Sequence, residues 1–214
     1  MSGPRLPRIH VLAGVNGAGK SSIGGAAVRQ HGGKYFNPDE AARALREKDP
    51  RLTQTDANSA AWRQGVRLVK RAIETRLDFT FETTLGGNTI TGLLAKAAEQ
   101  GIELHIWYVG LSSPALNIAR VQARVSRGGH DIPALDIHRR YEHSRLNLIA
   151  LLPHLTTLRM YDNSVDADPA AGRTPQLKLV LHMERGRILG QSDLTATPNW
   201  AKPIVAAALK LHRP

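Results

Sequence analysis

The sequence predicts a three-layer α/β fold with a mainly parallel central sheet and a helical, arginine-bearing lid. Three observations carry that reading. A short apolar run, Ile9, Val11, Leu12 and Ala13, leads into a glycine-rich loop and then a helix-forming stretch. Further short apolar segments, at 79–81, 103–109 and 157–161, alternate with helix-patterned ones, the rhythm of βαβ units. Two arginine-rich helical segments meet at Gly128-Gly129.

The loop reads Gly14-Val15-Asn16-Gly17-Ala18-Gly19-Lys20-Ser21, followed by Ser22, and fits the phosphate-binding pattern G-x-x-x-x-G-K-[ST]. Its glycines let the backbone curl so that successive N–H groups face phosphate oxygens. Lys20 can reach the β- and γ-phosphates, and the Ser21 hydroxyl can ligate Mg²⁺. The helix that follows turns its N-terminal dipole on the same anion. A dinucleotide-binding fingerprint is excluded, because Ser22 stands where its third glycine belongs and Lys20 has no role in it. The prediction is a P-loop NTPase or kinase fold that binds a nucleoside triphosphate through residues 14–22.

At 214 residues the chain can bury one substantial core, so one domain over 1–214 is expected. Within it the lid occupies about 120–145, and a C-terminal hairpin and helix about 176–212. No apolar stretch approaches about 20 residues and no signal-peptide pattern follows Met1, which predicts a cytoplasmic protein without membrane contact. Zero cysteines exclude disulfides and thiolate zinc sites. The net charge of +11, from 29 Lys and Arg against 18 Asp and Glu, calls for an anionic partner. Nucleic acid is disfavoured, because only three Trp, four Tyr and three Phe are available for base stacking. ATP and a phosphate-rich small substrate account for part of the charge.

In chain order, residues 8–13 form a strand, 20–31 a helix stopped by Gly32-Gly33, and Lys34-Tyr35-Phe36 a short second strand. Asn37-Pro38-Asp39-Glu40 is a helix start, with Asn37 as N-cap and Glu40 as the capping-box acid. Asp39 has two readings there: a carboxylate favoured by the helix dipole, or one at a strand tip beside the triphosphate, where an acceptor hydroxyl must sit. Residues 55–77 predict a long helix with Trp62, Val66, Val69 and Ile73 on its core face. The strand 79–81 ends in Glu82, Thr83 and Thr84, placed where ligands of parallel sheets collect. A helix at 90–100, a buried strand at 103–109 and a helix capped by Ser113 follow. Along that last helix Arg120, Arg124 and Arg127 recur at i, i+4 and i+7, and a second helix carries Arg139, Arg140 and Arg145. These arginines are either a solvated face or a lid closing over phosphates. A strand at 157–161, a loop at 165–175, a hairpin of 176–182 with 187–190, and a helix at 200–211 complete the chain. The nine histidines show no metal-ligand spacing.

Several blocks together resemble one family, the zeta-toxin-like kinases. They are Gly-Val-Asn-Gly-Ala-Gly-Lys-Ser-Ser, Asn37-Pro38-Asp39-Glu40, Phe81-Glu82-Thr83-Thr84, Tyr108-Val109-Gly110-Leu111, the lid block from Arg127 to Pro133 with Arg140-Tyr141, and Asp162-Asn163-Ser164. The resemblance implies transfer of the γ-phosphoryl of Mg-ATP to a hydroxyl of UDP-N-acetylglucosamine or a related UDP-sugar. For some members it also implies an epsilon-type antitoxin protein as partner. By position it makes Asp39 the base facing the acceptor hydroxyl, and Lys20 the holder of the phosphates. Ser21 becomes the Mg²⁺ ligand, Glu82 and Thr83 acceptor contacts, and Arg127 and Arg140 the clamp on the γ-phosphoryl. Val15 departs from the proline common in this family's loop. The competing functions are a P-loop kinase of an unrelated metabolite or antibiotic, and a regulatory or nucleic-acid-associated ATPase. The second is weakened because no apolar strand ends in Asp-Glu.

Overall fold

The computed structural model describes residues 5–30, 32–165, 177–191 and 193–212. Its centre is a six-stranded sheet in the order β2-β1-β3-β4-β5-β6. Strand β1 is Arg8–Gly14, β2 Phe79–Thr83, β3 Glu103–Gly110 and β4 Thr157–Asp162, all mutually parallel. Strands β5 (Lys178–Glu184) and β6 (Arg187–Gln191) join antiparallel at the β4 edge. They form the expected hairpin, but the strands run further than predicted. Only Arg185 and Gly186 make the turn, both with positive φ (45° and 79°), as a two-residue primed turn requires. The loop foreseen at 165–175 and the first hairpin residue, 176, lie outside the described residues beyond Val165.

The register aligns Ile9 with Leu104, Val11 with Ile106 and Ala13 with Tyr108. These alternate residues share one face and form a continuous core with helices α3 (Gln54–Glu74), α4 (Asn88–Glu99), α6 (Ala134–Leu151) and α7 (Lys202–Leu211). Val69, Ile73, Leu94, Leu148 and Ile204 are their contributions. On the opposite face Leu12 and Trp107 receive Gly24, where an added Cβ would lie 3.2 Å from Leu12. The sheet is thus sandwiched between helices, as the sequence predicted.

Four local expectations are corrected. The second strand shrinks to one bridge between Phe36 and Phe81, because Asn37-Pro38 immediately turns the chain into α2 (Pro38–Lys48). The helix foreseen over 20–31 is a π-helical turn, Lys20–Gly25, followed by a short α1, Ala26–Gln30. Gly24 and Gly25 permit the wider turn, and Gly25 lies so close to Tyr35 that a Cβ would meet its hydroxyl oxygen at 2.1 Å. Helix α3 stops at Glu74 rather than 77, where Arg76 adopts φ 52° and Leu77 N–H closes on Ala72 O. Trp62, expected in the core, is 51% exposed. The buried face of this part of α3 runs through Ala57, Ala61, Gly65 and Val69, and Trp62 falls outside it. That part of α3 meets α2 through Ala42, Ala57 and Ala61 instead.

Candidate active site

The site grows from the carboxyl ends of β1 and β2. Gly14 and Gly17 take φ values of 136° and 73°, closed to side chains. A Cβ on Gly14 would meet Val109 O at 2.1 Å, and one on Gly17 would crowd Arg120 at 3.0 Å. The loop therefore lies against β3 and helix α5 (Pro114–Val125) with backbone alone. Val15, Asn16 and Ala18 are buried.

Lys20 is 8% exposed and folds back across the loop. Its Nζ donates to Val15 O at 3.0 Å and stands 3.8 Å from the Glu82 carboxylate. Burial pushes its pKa down; Glu82 and Asp39 pull it up, and Arg124 and Arg140 push it down. The Ser21 hydroxyl donates to Glu82 Oε2 at 2.8 Å. Ser22 turns to the Gly19 carbonyl.

Glu82, expected just after the strand as an acceptor contact, is the penultimate residue of β2 and buried at 7% exposure. It occupies the phosphate side with Ser21 and Lys20, because β2 extends two residues beyond the predicted strand and carries the carboxylate under the loop. Thr83 and Thr84 form the turn that follows, their hydroxyl oxygens accepting from Leu85 N and Gly86 N. Asn147 holds the Leu85 carbonyl at 2.7 Å.

Asp39 sits in the first turn of α2, half-exposed, 3.5 Å from Arg124 Nη1 and 3.9 Å from His130 Nε2. Burial pushes the His130 pKa down, against the pull of Asp39. The capping is as expected at Asn37, whose side chain accepts from Asp39 and Glu40, worth about 1 kcal/mol in a typical helix. Glu40 pairs outward with Arg29.

The sequence model of the zeta toxin family matches residues 2–165. The chain belongs to the zeta toxin family. It is a P-loop kinase, a phosphotransferase. A protein of Haemophilus influenzae is 33% identical over 129 residues, 60% of this chain and 88% of that one. The fold is shared with a chain of the AvrRxo1-ORF1:-ORF2 complex with ATP, at TM-score 0.65 and 15% identity over 97% of this chain and 77% of that one. It is also shared with a chain of the PezAT chromosomal toxin-antitoxin system of Streptococcus pneumoniae, at TM-score 0.55 and 15% identity over 98% and 87%.

The lid of this zeta-family chain differs from the expected three-arginine stripe. Helix α5 ends at Val125, so Arg127 is off the helix and exposed. The cause is the Gly128-Gly129 pair: Gly128 N–H returns to Val125 O and Gly129 N–H to Arg124 O, closing the helix a turn early. Arg124 faces the site instead, bonding Asp39 and the His130 carbonyl. Arg140, on α6, reaches the loop directly, its Nη1 donating to Asn16 Oδ1 at 3.4 Å. The structure thus gathers Lys20, Ser21, Glu82, Asp39 and Arg140 around the loop and leaves Arg127 outside.

Two asparagines escaped sequence reasoning. Asn117 of α5 donates to the Asn16 carbonyl, and Asn163 after β4 donates to the Ala18 carbonyl at 2.9 Å. They pin the loop from two other elements. Asn163 carried a signal, since it follows a strand's carboxyl end. Asn117, one polar residue in an amphipathic helix, carried none.

Among the described residues, no helix is long and apolar enough to cross a membrane.

Proposed function

We propose that the chain transfers the γ-phosphoryl of Mg-ATP to a hydroxyl of a UDP-activated sugar, such as UDP-N-acetylglucosamine. The supporting observation is the set of charged groups gathered at the loop. Lys20 Nζ stands 3.8 Å from Glu82, Arg140 bonds Asn16 of the loop, and Asp39 lies 3.5 Å from Arg124. Membership of the zeta toxin family supports the acceptor class, and the ATP complex of the AvrRxo1 fold relative supports the nucleotide.

Residues 14–22 hold the triphosphate, with the loop amides and Lys20 on its oxygens. Ser21 Oγ and Glu82, a hydroxyl and a carboxylate 2.8 Å apart, are hard oxygen donors of the kind Mg²⁺ takes, directly or through water. Mg²⁺ supplies charge neutralisation on the phosphates when bound. Asp39 aims the acceptor hydroxyl and takes its proton late, because the transition state is loose. Thr83 and Thr84, at the carboxyl end of β2, accept from backbone N–H groups and keep their hydroxyl protons for the acceptor. Arg140 and Arg127, on the two sides of the 120–145 lid, close on the γ-phosphoryl, with Gly128 (φ 87°) as the hinge. An antitoxin protein is the partner proposed for this fold, on the likeness to the PezAT toxin-antitoxin chain.

The test is mass spectrometry of UDP-N-acetylglucosamine incubated with the protein and Mg-ATP. The expected product carries one added phosphoryl group, and Asp39→Asn lowers its rate by about 10²-fold or more, with ATP affinity unchanged. Phosphorylation of another metabolite alone in a cell extract overturns the acceptor. An Asp39→Asn variant that keeps its rate per folded molecule returns Asp39 to a helix-start acid.

A further inference from the structure

Asn37 touches both halves of the site with one side chain and is 5% exposed. Its Oδ1 accepts the backbone N–H of Asp39 at 2.9 Å and of Glu40 at 3.4 Å. Two donors at one end fix the amide's orientation, so Nδ2 faces the other way. There it donates to Ser21 Oγ at 3.3 Å and to Glu82 Oε2 at 3.4 Å. Ser21 itself donates to the same Glu82 oxygen, which closes a three-membered set of side chains. The backbone repeats the link one residue earlier, where Glu82 N–H bonds Phe36 O.

A plain N-cap needs only the first pair of bonds. Aspartate caps a helix as well as asparagine does, but its second oxygen is an acceptor and would oppose the Glu82 carboxylate. Serine caps too, but its shorter side chain puts its one oxygen at the helix and leaves no second atom where Nδ2 meets Ser21 and Glu82. Asparagine accepts from the helix and donates to the phosphate site at once.

We propose that Asn37 is a positioning residue that carries the state of the phosphate site to Asp39. Ser21 and Glu82 are the groups that reorganise around Mg-ATP, and the Asn37 amide bonds both. The first turn of α2, held by the same amide, presents Asp39. Nucleotide binding therefore sets the acceptor-side carboxylate before the acceptor arrives. The meaning for catalysis rests on Asp39 being the base; the link itself can be read without an acceptor.

The experiment is hydrogen–deuterium exchange of the intact protein over residues 38–45, with and without Mg-ATP, on wild type, Asn37→Ser and Asn37→Asp. Both variants keep a cap. Wild-type exchange slows by about tenfold on nucleotide binding, and both variants lose that slowing. ATP affinity, read by a fluorescent ATP analogue, stays within about threefold, because Lys20 and the loop backbone are untouched. Slowing of equal size in the variants, or none in wild type, overturns the proposal. So does loss of ATP binding in both variants, which would make Asn37 part of the phosphate site itself. Failure of Asp39 as base shows separately, as unimpaired transfer by Asp39→Asn with the exchange pattern intact.

Discussion

The phosphate side and the lid side of this active site are built differently. On the phosphate side the side chains that build the cradle are bonded within it. Lys20 bonds Val15 O and faces Glu82, Ser21 bonds Glu82, and two asparagines hold loop carbonyls. On the lid side the contacts are long and partial. Arg124 meets Asp39 at 3.5 Å, Arg140 meets Asn16 at 3.4 Å, and Arg127 is exposed. The difference separates two tasks of a kinase. Binding a triphosphate rewards a rigid cradle, because order present beforehand is not lost on binding. Stabilising the transition state needs groups that arrive with the substrate and exclude water behind them.

Lys20→Ala should give the largest effect. It removes the cation of the rigid half, and turnover should fall below detection with the circular dichroism spectrum unchanged. Wild-type turnover in that variant would break the assignment of the cradle.

Arg127→Ala and Arg140→Ala probe the mobile half. Each should lower kcat by about 10²-fold or more, towards the 10³–10⁵ range of arginine fingers, while ATP affinity changes far less. Lysine should rescue poorly, since it cannot make a bidentate contact. Arg127 sharpens the comparison most. A near-normal kcat in Arg127→Ala beside a crippled Arg140→Ala would mean that the lid closes with Arg124, already at Asp39, in its place.

The smallest effect is a pH dependence of stability. His10, His105 and His130 have pKa values pushed below 6.5, in each case chiefly by burial. The unfolded chain then takes up protons at a higher pH than the folded one. Stability is fully present above 6.5 and is lost as pH falls from there through the depressed folded values. The melting temperature should drop by several degrees across that window. His10 and His105 stack at 4.7 Å in the rigid sheet, so His105→Gln should flatten the slope more than His130→Gln in the lid. Equal slopes in the two variants would erase the distinction.

Much of this was legible in the sequence for physical reasons. The P-loop announces itself because its glycines, lysine and serine are dictated by an anion that accepts few substitutes. Strands β1, β3 and β4 are readable because apolar residues recur at every second position, Ile9 and Val11, Leu104 and Ile106, Leu158 and Met160, as on the buried face of a strand. The lid register was misread because helix periodicity continued through Ser126 to Arg127, whereas Gly128 and Gly129 act backwards on the preceding turn. Trp62 was placed in the core because large apolar residues define a stripe on sight, whereas the buried face there is made of Ala57, Ala61 and Gly65. The contacts of Glu82 with Ser21 and Lys20 were not foreseen because the strand was read as ending at Phe81, whereas β2 runs two residues further. Asn117 and the second face of Asn37 could not be read at all, since their partners are set by tertiary contact alone.

The order in which this site is completed follows from its sequence separations. The loop is made before most of the segments it depends on. Gly14 rests on Val109, Asn117 holds Asn16, and Asn163 holds Ala18 across 145 positions. Strand β1 gains its neighbours only when residues 79–83 and 103–110 exist to pair with it. A growing chain therefore carries the complete phosphate-binding motif long before it carries the cradle. Closure of such distant contacts is slow relative to local helix formation. The cradle seen here is complete only once Asn163 has reached the Ala18 carbonyl, 145 positions back.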